Sequence, residues 1–254
     1  MATRTRRPER REEPLSRERI VEAAVELLDG AGEGGLTFRA LTERLATGPG
    51  AIYWHVANKG ELLVAATDAV VAAALAAGPA EAADAAESPD SPDSPHSPHS
   101  PHSPQEKIDS IALGLFDAID EHPWLATQLA TQLARGPRQS VTLRIFESIG
   151  RQVRALGVPE GSQFTATSAL VHYILGAAGQ NAANSANART FGPEVTRAEY
   201  LAAASQAWKE LDPDDYPFTR AVADQLRDHD DQAEFLAGIA LILAGITAVH
   251  PATR

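Results

Sequence analysis

Apolar residues recur at helical spacing along this chain, and no alternating run long enough for a strand interrupts them. Ile20, Ala23, Ala24, Leu27 and Leu28 form one stripe. It follows Ser16, whose hydroxyl suits an N-cap, and runs into the glycines of Gly30 to Gly35, where the helix should end. Thr37 then stands as a second N-cap, followed by a short helix with Phe38, Leu41 and Leu45 facing inward, the turn Ala46-Thr47-Gly48, and a short segment from Pro49 to Val56. Proline suits a first helical turn, where its missing N–H has no bond to make. The segments around Ile108 to Asp120, Val141 to Leu156, Gln163 to Asn187, Thr196 to Leu211 and Ala233 to Val249 repeat the spacing between Pro or Gly boundaries. The predicted fold is all-α.

The two helical regions are separated by a tract that reads SPDSPDSPHSPHSPHSP from Ser88 to Pro104. Its prolines forbid helix and favour an extended, solvated chain. The expected divisions are a flexible basic arm over 1–15, a first helical domain over 16–62, a connecting helix over 63–77, a disordered Ser-Pro-Asp/His linker over 78–104, and a C-terminal domain over 105–254. Histidines His96, His99 and His102 invite a metal reading. In a polyproline helix they would share a face but stand roughly 9 Å apart, too far to hold one ion, so no metal or other cofactor is expected.

Composition narrows the class. Cysteine is absent, which excludes disulfides, thiolate sites and cysteine nucleophiles and suits a reducing cytoplasm. The N-terminus lacks the apolar stretch of a signal peptide, and the run from Phe235 to Val249 is short for a membrane span, so no membrane is expected. The net charge of −12 is unevenly spread: residues 1–60 carry ten Lys or Arg against nine Asp or Glu, and the acidic excess lies beyond them. An acidic body repels DNA, so phosphate contacts would fall to the N-terminal segment, where Arg4, Arg6, Arg7, Arg10 and Arg11 cluster; a solubilising tail is the alternative.

Two short helices joined by a tight turn behind a longer supporting helix have the layout of a helix-turn-helix, whose second helix enters the major groove. The stretch LTFRALTERLATGPGAIYWHVANKGELL, from Leu36 to Leu63, resembles the signature of the tetracycline-repressor (TetR) family, and IYWHVANKGELL is close to the version in the tetracycline repressors themselves. A twelve-residue block with Tyr, Trp, His and Asn-Lys in order is far more specific than a lone glycine motif.

The resemblance implies roles residue by residue. Thr37 would bond a phosphate beside its helix N-terminus. Arg39 would reach a base edge, where a guanidinium pairs with guanine O6 and N7. Pro49, Gly50 and Ala51 would let the backbone approach the groove and touch thymine methyls, Tyr53 and His55 would donate to phosphates, Trp54 would lie partly on the groove wall and partly on the domain core, and Lys59 would neutralise a phosphate. Core packing is the alternative for the aromatics, although three consecutive residues cannot all be buried in so small a unit. The chain departs from the family's usual pattern at Ala46 (glycine), Thr47 (aliphatic) and Gly48 (serine or threonine), which predicts a looser or shifted turn.

In the last segment Phe235, Ile239, Ile242 and Ile246 make one stripe while Leu236, Leu241, Leu243 and Val249 fall on other faces, so this helix is apolar all round. Core on one side and a partner subunit on the other, or a wholly intramolecular core, would each account for it. In the family, helices corresponding to 163–187 and 233–249 form a four-helix homodimer interface, and the dimer reads a near-palindromic double-stranded DNA operator with half-sites about 34 Å or more apart. An effector bound between the domains would tilt the fourth helix and release a repressor. Candidate small-molecule contacts are polar or aromatic residues on apolar helices: His122, Trp124, Gln128, Gln132, Phe146, His172, Tyr173 and Asn181, with a hydrogen-bonded core residue as the alternative for His172. Enzyme motifs are missing, and Asp212, Asp214 and Asp215 read as a solvated turn. A module that docks on protein instead of DNA is the remaining rival.

Overall fold

The computed structural model describes residues 15–77, 103–135, 140–188 and 196–250. The predicted basic arm, and the Ser-Pro tract with His96, His99 and His102, lie outside them up to residues 14 and 102. Every regular element among the described residues is an α-helix, and the chain divides into two compact units, Met1–Ala66 and Thr67–Arg254.

The first unit holds α1 (Arg17–Gly35), α2 (Phe38–Leu45), α3 (Pro49–Tyr53) and the start of α4 (Lys59–Ala77). Ser16 caps α1, its Oγ accepting the Arg19 N–H at 3.3 Å. The core face of α1 is Ile20, Val21, Ala23, Ala24 and Leu28; Leu27, expected among them, is half-buried. Gly32, at φ 62°, breaks the helix where the glycine run predicted its end. Asn58 opens α4 by accepting the Glu61 N–H at 2.9 Å, while the Glu61 carboxylate turns back to the Ala57 N–H at 2.9 Å. Such reciprocal bonds satisfy amides that a helix start leaves unpaired.

The α2–α3 turn closes back onto the end of α2. Ala46 takes the left-handed conformation itself (φ 49°, ψ 42°), and its N–H and that of Thr47 close onto Glu43 O (3.4 Å) and Thr42 O (3.1 Å). The usual glycine would enter this conformation without the Cβ crowding that alanine suffers. Gly48 caps α3 through its backbone alone, its carbonyl accepting the Ala51 N–H at 3.1 Å.

The second unit contains the rest of α4, then α5 (Pro104–Glu121), α6 (Trp124–Arg135), α7 (Ser140–Ala155), α8 (Glu160–Ala188), α9 (Arg197–Lys209), α10 (Pro217–Ala221), α11 (Ala223–Arg227) and α12 (Asp231–Val249). Helices α6, α10 and α11 were not anticipated. The last residues of the Ser-Pro tract start α5: Ser103 Oγ accepts the Glu106 N–H (3.2 Å), the Glu106 carboxylate accepts the Ser103 N–H (2.7 Å), and Pro104 occupies the first turn. Helix α8 is the hub, packing on α5, α6, α7 and α12. Against α12 the fit is close. Tyr173 donates to the Phe235 carbonyl at 3.2 Å, and a Cβ on Gly238 would overlap the Tyr173 ring. Burial and then the Glu234 carboxylate push the Tyr173 phenol above its ordinary pKa.

The buried stripe of α12 is Phe235, Ile239 and Leu243, one turn apart. Leu243 therefore belongs to the core face, and Ile242 and Ile246, expected there, are half-buried. Each step of four residues turns about 40° around the helix, so the buried line winds around α12 instead of following the straighter stripe through Ile242 and Ile246.

The left-handed alanine generates a prediction. Ala46→Gly should stabilise the first unit by about 1 kcal/mol, the left-handed penalty less glycine's extra chain entropy, measured by urea unfolding followed by circular dichroism. No gain would mean that Ala46 is unstrained.

Candidate nucleic-acid interface

The short α3 is held from two sides. Ile52 is fully buried, and the Tyr53 ring stacks on Phe38 with centroids 4.6 Å apart and planes 10° from parallel. This stack joins the first turn of α2 to the last turn of α3. With Ile52 inward, the neighbouring side chains turn out. Thr37, Arg39, Pro49, Gly50, Tyr53 and Trp54 are exposed, and Ala51, His55 and Lys59 are half-buried. Trp54, at 89% exposure, does not rest on the domain core as the sequence suggested, because Ile52 takes the inward position of α3.

Thr37 caps α2, its Oγ1 accepting the Ala40 N–H at 3.1 Å. Arg39, one residue into that helix, gives its Nε–H to Glu43 at 2.9 Å. Its hydrogen bond and the carboxylate charge raise the guanidinium pKa above its ordinary value. Arg44 pairs with Glu26, Arg17 lies 3.6 Å from Glu61, and the Lys59 ammonium donates to the Glu33 carbonyl at 2.6 Å. Lys59 thus starts α4 as expected while also tying it to the end of α1. Glu43 was not singled out in the sequence, although its place four residues after Arg39 is the spacing at which helical side chains meet.

The candidate effector contacts do not gather into one site. His122 caps the end of α5 with its ring 6.0 Å from that of Trp124. Trp124, Gln128 and Gln132 form a buried row, one turn apart, along α6. Gln132 is only 1% exposed, and among the described residues neither amide atom has a hydrogen-bond partner, nor does the buried Thr142 hydroxyl of α7. Phe146 packs on Phe164 with centroids 5.5 Å apart, and His172 is exposed on α8. Asn181, with its amide oriented to suit its neighbours, donates to both oxygens of Asp231 at 3.2 Å. Asp231 also pairs with Arg197 (2.5 Å) and His229 (3.0 Å). This cluster borders an open cavity of about 680 Å³ that none of the other seven candidates lines. Asp212 behaves as the expected turn, its carboxylate accepting the Asp214 N–H at 2.8 Å.

Two exposed stripes complete the picture. Ala169, His172, Gly176, Gln180 and Ala183 follow one another along α8, and Ala237, Leu241, Ala244 and Ala248 along α12, with Leu241 75% exposed.

Comparison with known proteins agrees with this architecture. Residues 20–66 match the model for bacterial regulatory proteins of the tetR family, and residues 97–250 match that for the tetracyclin repressor-like C-terminal domain. A solved transcriptional regulator from Streptomyces coelicolor, described as a TetR, is 62% identical, with a TM-score of 0.78 over 93% of this chain and 100% of its own. An HTH-type transcriptional regulator from Saccharopolyspora erythraea is 29% identical over 176 residues, 67% of this chain and 64% of that protein. The class C tetracycline repressor of Escherichia coli is 46% identical over 57 residues, 22% of this chain and 26% of that repressor. The chain thus spans less than two thirds of the length of these last two relatives. The C-terminal match alone covers more than half of the chain, which belongs to the tetR family of bacterial regulatory proteins.

Proposed function

We propose that this chain is a cytoplasmic transcriptional regulator that binds a near-palindromic operator as a homodimer and leaves it when a small effector binds. The observation that carries the reading is the α2–α3 pair: a capped helix and a five-residue helix locked together, with Arg39, Tyr53 and Trp54 left exposed. In it Arg39 reads a base edge, Thr37, Tyr53, His55 and Lys59 contact phosphates, and Pro49, Gly50, Ala51 and Trp54 face the groove. The chain acts by binding and performs no chemistry.

The second subunit explains α12. By length and composition this helix alone, among the described residues, could cross a membrane. Its core stripe and uncovered stripe lie on different faces. Small residues on α8 beside the apolar stripe of α12 allow close helix approach, which supports a four-helix interface with a second copy.

For the effector, the Trp124–Gln128–Gln132 row supports a contact wall beside His122, with Phe146, His172 and Asn181 as further candidates. An unpaired buried amide costs about 1–3 kcal/mol, and a ligand carrying both a donor and an acceptor would remove that cost.

The decisive measurement is fluorescence anisotropy against duplexes tiled across the region upstream of the protein's own gene, at two salt concentrations. One near-palindromic tile should bind, more weakly at high salt, and Arg39→Ala or Tyr53→Ala should each lower affinity by about tenfold or more. Binding no tighter than to a random duplex, with variants equal to the parent, would overturn the reading. Leu241→Glu should convert dimer to monomer by light scattering and weaken operator binding; an unchanged mass would remove α12 from the interface. Gln132→Met should raise the melting stability of the free protein by about 1 kcal/mol and blunt release by any compound that frees the parent. A loss of stability would show that the amide already has a partner.

A further inference from the structure

We propose that Glu43 is a positioning residue for base reading: by accepting the Nε–H of Arg39 it orders the guanidinium and leaves both terminal nitrogens for guanine O6 and N7. The inference rests on the DNA-binding reading above and adds to it the residue through which Arg39 acts.

The bond is placed for this task. Arg39 and Glu43 lie one turn apart on α2, with Nε and Oε1 separated by 2.9 Å. A guanidinium carries five N–H groups, one on Nε and four on the two terminal nitrogens, and a guanine edge needs one from each terminal nitrogen. Among the described residues no second acceptor takes those four. Glu43 is not drawn away by its neighbour, because Arg44 is paired with Glu26.

The backbone beneath the pair is fixed as well. Thr37 caps the turn that carries Arg39, the Thr42 hydroxyl donates to the Arg39 carbonyl at 2.7 Å, and the Phe38–Tyr53 stack sets that turn against α3. A long side chain held this way loses less rotamer freedom when it docks.

An exposed pair of this kind adds little to folding stability. Its value lies in binding, where it acts in two opposite directions. Ordering the fork favours the hydrogen bonds to guanine. The carboxylate also offsets the arginine's charge, which weakens attraction to phosphates at every sequence alike. Both effects raise discrimination, and only the first raises affinity for the cognate site.

The test is selection of duplexes from a random pool by the full chain. Anisotropy then follows on the enriched duplex and its single-base variants, at two salt concentrations, for the parent, Glu43→Gln, Glu43→Asp, Arg39→Ala and the Arg39→Ala/Glu43→Gln double variant. The parent should require guanine at one position per half-site. Glu43→Gln, whose amide oxygen still reaches the Nε–H but without the charge that strengthens the bond, should lower that preference by about three- to tenfold while binding random duplex more tightly, with a salt slope steeper by about one. Glu43→Asp, too short to span the turn but still charged, should lose preference and keep the parent's slope. Arg39→Ala should abolish the preference, and adding Glu43→Gln should lower it no further. Unchanged guanine preference in Glu43→Gln, or equal weakening on every duplex, overturns the inference while leaving DNA binding intact. An enriched site with no position sensitive to Arg39→Ala does the same. If the parent enriches nothing, the DNA-binding reading itself has failed.

Discussion

A helix of five residues cannot persist by its own hydrogen bonds, because nucleation fixes several backbone angles before the first bond is made. Everything the first unit presents at its surface depends on overcoming that limit from outside α3. Pro49 sets the first turn, Ile52 is sunk into the core, the Tyr53 ring lies on Phe38, and the Thr47 N–H closes the preceding turn onto α2. The exposed aromatic surface follows from the same clamp. Once Ile52 takes the inward direction, the next two side chains must turn away from it, and α2, itself packed on α1, carries α3.

The second unit handles polarity unevenly. At the start of α12 one carboxylate, Asp231, collects an amide, a guanidinium and an imidazole, so that α8, α9 and the preceding turn are joined by charge and hydrogen bonding. Along α6 the opposite holds, with an amide more deeply buried than Asn181 that meets no partner among the described residues. A native interior seldom leaves such atoms unpaired. The contrast gives the two regions different characters: a hydrogen-bonded junction that fixes helices, and a buried amide on an otherwise apolar wall.

Much of this was legible in the sequence because it rests on local rules. Ser16, Thr37 and Pro49 announced helix starts, the glycine run ended α1, and the spacing of Ile20, Ala23, Ala24 and Leu28 marked a core face. Nine candidate contact residues could be proposed from the sequence because the block from Leu36 to Leu63 is specific. Other features depend on three-dimensional neighbours. Nothing in Trp54 itself says that Ile52 will displace it from the core, and Ala46 looked like a defect until the structure put it in the conformation it replaces. On α12, where nearly every residue is apolar, pattern could not choose between Leu243 and Ile242; packing against α8 did. The effector candidates scattered for a similar reason, since being polar on an apolar helix does not say whether a neighbour such as Asp231 already claims the side chain.

The start of α5 carries a consequence for how this chain can change. Its cap is made by Ser103, Pro104 and Glu106, so the final Ser-Pro of a three-residue repeat doubles as the first turn of a helix. Gain or loss of a whole unit upstream would leave Ser-Pro-Gln-Glu at the junction, with the helix beginning at the same place in its own sequence. The length of the tract is therefore uncoupled from the register of the helix that follows it.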